Sequence, residues 1–112
     1  MLFIGPDDFF RKVSHIPSIS RERELYHAKK MLMGDMQAKE SIILGYLPYI
    51  ASFIRHQPSQ NQTLELILRC CIALEKAVDS FDFLQNSEPF SHRLDWYLRQ
   101  TATAYMADRY SR

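Results

Sequence analysis

Apolar residues recur every three or four positions along most of the chain, a spacing that predicts amphipathic helices, and strand-like alternation is scarce. Pro6 followed by Asp7 and Asp8 predicts the start of a short first helix. At the first helical position the missing N–H of proline removes no intrahelical hydrogen bond, and acidic side chains interact favourably with the helix dipole. This helix is expected to end before Pro17, since the residue before a proline avoids the helical conformation. Its apolar residues are Phe9, Phe10 and Val13.

A second helix is predicted from a cap at Ser20 to Met33. Gly34 is a natural stop for it, because glycine readily adopts the left-handed conformation that ends many helices. Asp35 is then a natural cap for the helix that follows. The apolar face of the second helix is expected to consist of Leu25, Ala28 and Leu32.

The third segment, Met36 to His56, contains the longest apolar run and is expected to form the central helix, buried on most of its circumference. Pro48 lies inside it. A proline within an unbroken helix costs about 3 kcal/mol, so we expect a kink or a restart between Gly45 and Pro48. Two apolar stripes run along this segment: Ala38, Ile42, Tyr46, Tyr49 and Phe53 form one, and Ile43, Leu47, Ile50 and Ile54 form the other.

A polar connector, Gln57 to Gln62, leads to a fourth helix predicted over Leu64 to Phe81. After a loop from Asp82 to Pro89, a cap at Ser91 is expected to begin a last helix that ends near Arg109. The buried stripe of the fourth helix is Ile67, Cys70 or Cys71, Leu74, Ala77 or Val78, and Phe81. The apolar side of the last helix is expected to consist of Leu94, Tyr97, Leu98, Ala102, Tyr105 and Met106.

These segments together predict an all-α protein, a helical bundle of about four main helices. We expect a single domain over residues 1–112, with residues 1–19 as an N-terminal extension that carries the short helix and 20–112 as the main bundle. A hydrophobic fraction of 46% and a charged fraction of 24% are typical of one soluble globular unit. The formal net charge of +1 argues against binding of duplex DNA by bulk electrostatics, which needs a basic stripe.

The sequence offers no catalytic constellation and no cofactor motif, so we expect no enzyme, no cofactor and no metal site. The four histidines have no partner at metal-ligand spacing, and no glycine-rich phosphate loop is present.

The adjacent Cys70 and Cys71 rule out a disulfide framework and suit a reducing cytoplasm. Asp7 and Asp8 place negative charge where a secretory signal peptide needs positive charge, so we expect no secretion. The run from Ser41 to Ile54 is too short to span a bilayer, so no membrane partner is expected.

Longer strings in the second half of the chain carry a family resemblance. Residues 64–83 read LELILRCCIALEKAVDSFDF, and residues 90–108 read FSHRLDWYLRQTATAYMAD. Upstream, GDMQAK at 34–39 and YLPYIASFIR at 46–55 precede them in order. These strings resemble region 2 of the bacterial sigma-70 family, with 64–83 similar to its second conserved helix and 90–108 similar to the helix that opens and reads the promoter. The resemblance covers roughly Ser20 to the end, and it implies the fold of that region.

The resemblance implies that the last helix contacts single-stranded DNA of the minus-ten promoter element. Trp96 and Tyr97 match an aromatic pair that forms a wedge at the edge of the melted element, and aromatic rings stack on unpaired bases without a basic surface. Gln100 suits a bidentate contact with adenine. The chain departs from the family at His92 and Arg93, where the family has threonine and an aromatic residue. The implied DNA contacts are Arg93, Trp96, Tyr97, Arg99, Gln100 and Thr103.

The resemblance also implies that the fourth helix docks on a coiled coil of the largest subunit of RNA polymerase. The family pattern there is Asp-Leu-Ile-Gln-Glu-Gly with a polar residue following, and Glu65 keeps the first acid. Arg69 reverses a charge, which implies either a changed partner surface or a docking that differs from the usual one. The implied polymerase contacts are Glu65, Leu68, Arg69, Cys71 and Glu75.

Two functions follow as expectations. In the first, the chain is a sigma factor-like transcription initiation protein that contacts the RNA polymerase core and the single-stranded minus-ten element. In the second, a degenerate sigma-like fold serves as a protein–protein interaction module or as a regulator of a split sigma factor, without DNA binding. Further candidate partners are a separate helix-turn-helix sigma subunit and an anti-sigma protein, since the 112 residues include no counterpart of the helix-turn-helix domain of the family.

Overall fold

A computed structural model describes residues 3–111, and within that range the chain is helical and contains no β-strand. A short helix α1 precedes four longer helices, so the predicted all-α bundle of four main helices is confirmed. Between α3 and α4 the polar connector forms one turn of 3-10 helix, Ser59–Asn61. The helices are α1 Pro6–Val13, α2 Arg21–Leu32, α3 Met36–Arg55, α4 Leu64–Ser80 and α5 Phe90–Tyr110.

Side-chain caps begin three of these helices. The Ser20 hydroxyl accepts a hydrogen bond from the Arg23 N–H at 3.1 Å. Asp35 Oδ1 accepts from the N–H groups of residues 37 and 38 at 2.9 and 3.3 Å. The Thr63 hydroxyl accepts from the N–H of residue 66 at 3.2 Å. Gly34 separates α2 from α3 with φ of +89°, the left-handed conformation predicted for this stop.

The start of α5 differs from the prediction. The helix begins at Phe90 after Pro89, with no side-chain cap, and Ser91 lies inside its first turn. The Phe90 ring is buried and packs against three aromatic rings, with centroids 4.8 Å from Tyr46, 5.2 Å from Phe81 and 4.9 Å from Phe83. Aromatic packing and the fixed φ of proline therefore set the start of α5, and the predicted cap at Ser91 is wrong.

The core lies around α3, which packs against α1, α2 and α4, while α5 packs mainly against α4. The fully buried side chain of Phe9 belongs to this core and brings α1 into it. Within the N-terminal segment its ring centroid lies 4.9 Å from that of Phe3 and 5.7 Å from that of Phe10. The largest fully buried side chains of this core are Phe9, Phe90, Ile42, Ile50, Ile54, Leu66, Ile67, Leu74, Leu94 and Leu98. The α1 segment thus contributes to the same core as the four main helices.

Helix α3 runs without a restart through Pro48. Ile42, Leu47 and Ile50 on both sides of the proline are buried, and burying each such side chain contributes about 1.5–3 kcal/mol, which offsets the cost of the proline. Gly45 is needed one turn earlier for a different reason. The Ile19 N–H donates to the Gly45 carbonyl at 3.1 Å, and a Cβ at position 45 would lie 2.5 Å from the Ile19 Cβ. The absence of a side chain lets the α1–α2 connector lie on α3.

The buried face of α2 differs from the apolar stripe predicted from the sequence. Leu32 is 71% exposed, whereas Glu24 is only 3% exposed and lies beside the buried Ala28. The carboxylate of Glu24 accepts a hydrogen bond from the Tyr46 hydroxyl, and it forms an ion pair with Arg21 at 3.5 Å. A buried carboxylate with two partners can replace an apolar residue, and hydrophobic periodicity does not detect this. On α5, Met106 is likewise exposed, contrary to the prediction.

Candidate nucleic-acid and polymerase interface

The residues expected to contact polymerase do not all lie on the surface of α4. Glu65, Leu68 and Glu75 are exposed. Arg69 is partly covered, and Cys71 is half-buried. Burial raises the pKa of the Cys71 thiol to about 11, so Cys71 is a neutral packing residue near neutral pH. Cys71 therefore belongs to the packed side of α4, although the sequence grouped it with the contact residues.

The charge of Arg69 is directed towards α5. Its Nη1 lies 3.0 Å from Asp108 Oδ2, its Nη2 lies 3.2 Å from Glu65 Oε1, and its guanidinium carbon lies 5.4 Å from the centroid of the Tyr105 ring. The hydrogen bond with Asp108 is the main cause that raises the pKa of Arg69. The Arg69 guanidinium thus has carboxylate partners within the same chain, Glu65 on α4 and Asp108 on α5.

Two further bonds hold the same end of α5. The hydroxyls of Tyr105 and Thr63 lie 2.8 Å apart, and the Tyr110 hydroxyl donates to Asn61 Oδ1 at 2.7 Å. Asn61 is buried, so its amide oxygen needs such a partner. The last turns of α5 are therefore tied to the residues that precede α4.

Glu75 is also engaged within the protein. Lys39 of α3 lies between two residues of α4, with its Nζ 3.6 Å from Glu75 Oε1 and 2.7 Å from Asp79 Oδ1. The hydrogen bond with Asp79 is the largest cause that raises the pKa of Lys39. A partner that binds Glu75 must compete with this α3–α4 bridge.

The aromatic pair on α5 is asymmetric. Trp96 is 56% exposed, whereas Tyr97 is half-buried. The two rings meet edge to face, with centroids 5.3 Å apart and planes at 88°. The hydroxyls of Tyr97 and Ser80 lie 3.2 Å apart, so Tyr97 packs on α4 and supports Trp96. Trp96 is thus the ring of the pair that offers a free face to a ligand.

The remaining DNA candidates lie on the exposed half of α5. Arg93, Arg99, Gln100 and Thr103 are all exposed. Arg99 Nε lies 2.8 Å from Asp95 Oδ2, and Asp95 in turn accepts a weak hydrogen bond from the Tyr49 hydroxyl at 3.5 Å. Arg93 takes part in none of the ion pairs among residues 3–111. Of the two arginines, Arg93 is therefore the more available cation.

The two predicted sites meet in one groove between α4 and α5. The groove has a volume of about 440 Å³ and brings Arg69 of the polymerase set together with Trp96 and Gln100 of the DNA set. Sequence reasoning missed Ile72 and Lys76, which also line it. Ile72 is 57% exposed and lies one helical turn from Leu68, itself 47% exposed. The sequence did contain a signal for Ile72 and Lys76, since both residues fall outside the buried stripe predicted for α4.

The described residues offer an open surface as the candidate site. Within residues 3–111, no group of three or more His, Cys, Asp or Glu side chains is placed to hold a metal ion. In the same part of the chain, no helix combines the length and hydropathy that crossing a bilayer requires. The structure thus defines an all-helical domain whose recognisable features are exposed faces of α4 and α5.

Sequence comparison relates this domain to known proteins. The chain is 28% identical over 102 residues to the RNA polymerase sigma factor SigA of Clostridium acetobutylicum, and the match covers 90% of this chain and 27% of that protein. SigA of a Bacillus species matches at 28% and SigA of Listeria monocytogenes at 26%, with the same coverage. No protein-family model matches the chain.

These matches relate the chain to part of the sigma-70 family and confirm the predicted relationship. The chain spans about a quarter of the length of the curated relatives it matches.

Proposed function

We propose that this chain acts in transcription initiation as a sigma region 2-like domain. Its α4 would contact the RNA polymerase core, and its α5 would contact the single-stranded minus-ten promoter element. Similarity to proteins named RNA polymerase sigma factors over 90% of the chain supports this role. The proposal places the protein in the cytoplasm, with a separate helix-turn-helix sigma subunit or an anti-sigma protein as further partners.

The exposed ring of Trp96 is the observation that carries the DNA part of the proposal. A large aromatic side chain that is 56% exposed gains little from the core, yet a base can stack on it. Gln100 follows one turn later and also lines the groove, where its amide is available for a base edge. Arg93 is available for phosphate contacts. This combination suits an unpaired strand better than a duplex, because the chain carries a net charge of only +1.

The DNA part is tested with Trp96→Ala. Loss of one stacked base removes about 1–3 kcal/mol, which corresponds to an increase in Kd of about 5- to 150-fold for a promoter-derived single strand. Leu44→Ala is the control, because it truncates another exposed apolar side chain, on α3. Fluorescence anisotropy gives the Kd, and circular dichroism checks the helical content. Unchanged strand binding by Trp96→Ala would refute the role of this ring.

The polymerase part is tested by titration against core RNA polymerase. Leu68→Asp places a charge on the exposed face of α4, where it should weaken binding with little effect on folding. Glu40→Ala on the exposed side of α3 is the control. If the unmodified protein fails to bind core polymerase, this part of the proposal is wrong.

A second candidate function is a protein–protein interaction module without DNA binding. The exposed Leu68 and Ile72 favour it, because bulky apolar side chains one turn apart on a helix suit an apolar partner surface. The ion pairs of Arg69 with Glu65 and Asp108 also favour this second function. A guanidinium that is already paired within the chain contributes less binding energy to a contact with polymerase. In this case Leu68→Asp would abolish binding to a partner protein, whereas Trp96→Ala would leave that binding unchanged and no promoter strand would bind.

A further inference from the structure

The exposed side of α2 carries two cations on either side of one aromatic ring. Arg23, Tyr26 and Lys30 are spaced three and four residues apart, so they lie on one face of the helix, and we refer to them as the α2 row. All three are exposed, Tyr26 at 48%. The Arg23 guanidinium carbon lies 5.7 Å from the centroid of the Tyr26 ring, and the Lys30 Nζ lies 4.7 Å from it.

The ring positions both cations. Cations over an aromatic face are attracted by its quadrupole, so the long side chains of Arg23 and Lys30 lose part of their freedom before any ligand arrives. The hydrogen bond with Tyr26 raises the pKa of Lys30, which keeps its charge. None of the ion pairs among residues 3–111 includes either cation. By contrast, the neighbouring Arg21 is paired with Glu24.

The α2 row is a local excess of positive charge on a nearly neutral protein. Lys29 is exposed beside it, and Glu22 is the one exposed carboxylate of α2, because Glu24 is buried. The chain as a whole carries a net charge of only +1. Positive charge is therefore concentrated on this face, and the complementary ligand is a polyanion.

Helix α2 and the start of α5 meet at one residue of α3, on the buried face of α2 and not on the face that carries the α2 row. The Tyr46 hydroxyl is hydrogen-bonded to Glu24 of α2, and its ring centroid lies 4.8 Å from that of Phe90, the first residue of α5. Both helices thus contact the same residue of α3. Arg23 and Lys30 are seven residues apart, which is about 10.5 Å along the helix axis.

We propose that the α2 row binds the sugar–phosphate backbone of a single DNA strand. Arg23 and Lys30 each contact a phosphate, and Tyr26 keeps the two cations apart and in place. This inference rests on the proposed function, because the strand is the one that α5 contacts. It adds a sequence-independent contact on α2 to the base contacts on α5.

The test is a salt titration of strand binding, followed by the anisotropy of a short, labelled, AT-rich single strand. The variant Arg23→Gln with Lys30→Gln removes both cations. Each phosphate contact on a single strand contributes about 0.7 to the slope of log K against log salt, so the slope should fall by about 1.4. At about 0.1 M salt, the affinity should fall about 25-fold.

The matched control is Arg55→Gln with Arg109→Gln. These substitutions remove the same charge from two other cation–aromatic contacts, Arg55 over Phe10 at 4.6 Å and Arg109 over Tyr105 at 5.7 Å. The control should keep most of the affinity and the full slope. The exchange Arg23→Lys with Lys30→Arg retains both charges and should also keep the slope. Urea unfolding of every variant shows how much protein is folded under the binding conditions.

Each other outcome overturns the inference in a distinct way. If the α2 variant binds the strand normally while Trp96→Ala binds weakly, the inference is wrong and the proposed function stands. If the unmodified protein does not bind the strand, both are wrong. Equal losses in the α2 variant and the control would mean that net charge, not the α2 row, governs binding. If only the affinity for core polymerase falls in the α2 variant, the row is a protein contact.

Discussion

Substitution of Gly45 by alanine has two opposing effects, and the structure decides which is larger. Alanine is the better helix former by about 1 kcal/mol, so propensity alone predicts that Gly45→Ala stabilises α3. The new Cβ, however, would lie 2.5 Å from the Cβ and 3.0 Å from the Cγ2 of Ile19. Neither atom is at the end of a flexible side chain, so the backbone of the α1–α2 connector must move.

Overpacking of this kind costs about 1–3 kcal/mol, and a contact this short belongs near the upper end. The shift also stretches the hydrogen bond from the Ile19 N–H to the Gly45 carbonyl, now 3.1 Å. We therefore expect Gly45→Ala to lower the free energy of unfolding by about 1–2 kcal/mol after the gain in helix propensity is subtracted. Urea unfolding, followed by far-UV circular dichroism, measures this change directly.

A double-mutant cycle identifies the cause. Ile19→Gly removes the Cβ and both γ carbons that the new methyl group would meet, so Gly45→Ala should be harmless or stabilising in that background. Ser41→Ala, another residue of α3, is the control for helix propensity. A stabilisation of about 1 kcal/mol by Gly45→Ala in the unmodified protein would refute the reasoning, because propensity would then be the larger effect.

Three further experiments test the packing, the capping and the buried thiols. Phe9→Ala should cost about 3–5 kcal/mol in urea unfolding, because this ring joins α1 to the common core; a loss below about 1 kcal/mol would show that α1 is dispensable. Asp35→Ala should cost about 0.5–2 kcal/mol, since it leaves two N–H groups of α3 without a partner, and Asp7→Ala on α1 should cost less. Burial raises the pKa of Cys70 to about 12 and that of Cys71 to about 11, whereas the ordinary value is 9.0. Above about pH 9 the unfolded state therefore releases protons that the folded state keeps, and stability should fall as pH rises. The double variant Cys70→Ala with Cys71→Ala should show a flatter pH profile, and an unchanged profile would mean that the thiols do not cause the slope.

The helix boundaries could be predicted because local chemistry determines them. The hydroxyl of Ser20 and the carboxylate of Asp35 accept hydrogen bonds from N–H groups two or three residues away, and Gly34 needs only its own backbone freedom. The Ser91 prediction was wrong because tertiary contacts decide the start of α5. The ring of Phe90 packs against residues of α3 and of the loop after α4, which a local pattern does not contain.

The candidate site was predicted less completely, for the same reason. The sequence identified Arg69 and Trp96 as residues of two separate sites, whereas the fold brings them to one groove. One of the two partners of Arg69 is Asp108, 39 residues away, and helical periodicity carries no information about such a distant pair. Glu24 is polar and lies outside the apolar face predicted for α2, and the Tyr46 hydroxyl that donates to its carboxylate lies 22 residues further along. The contacts expected of these sites with DNA and polymerase stay predictions.

The bonds that hold the end of α5 also bear on the order of folding. Most helices of this domain pack against a neighbour in the chain, and chains rich in local contacts fold on the microsecond to millisecond timescale. The pairs Thr63–Tyr105 and Asn61–Tyr110 differ, because they close loops of 42 and 49 residues. Closing such loops costs entropy before the contacts are made. We therefore expect the last turns of α5 to join late, after the transition state, so that truncating Tyr110 mainly speeds unfolding and leaves the folding rate almost unchanged.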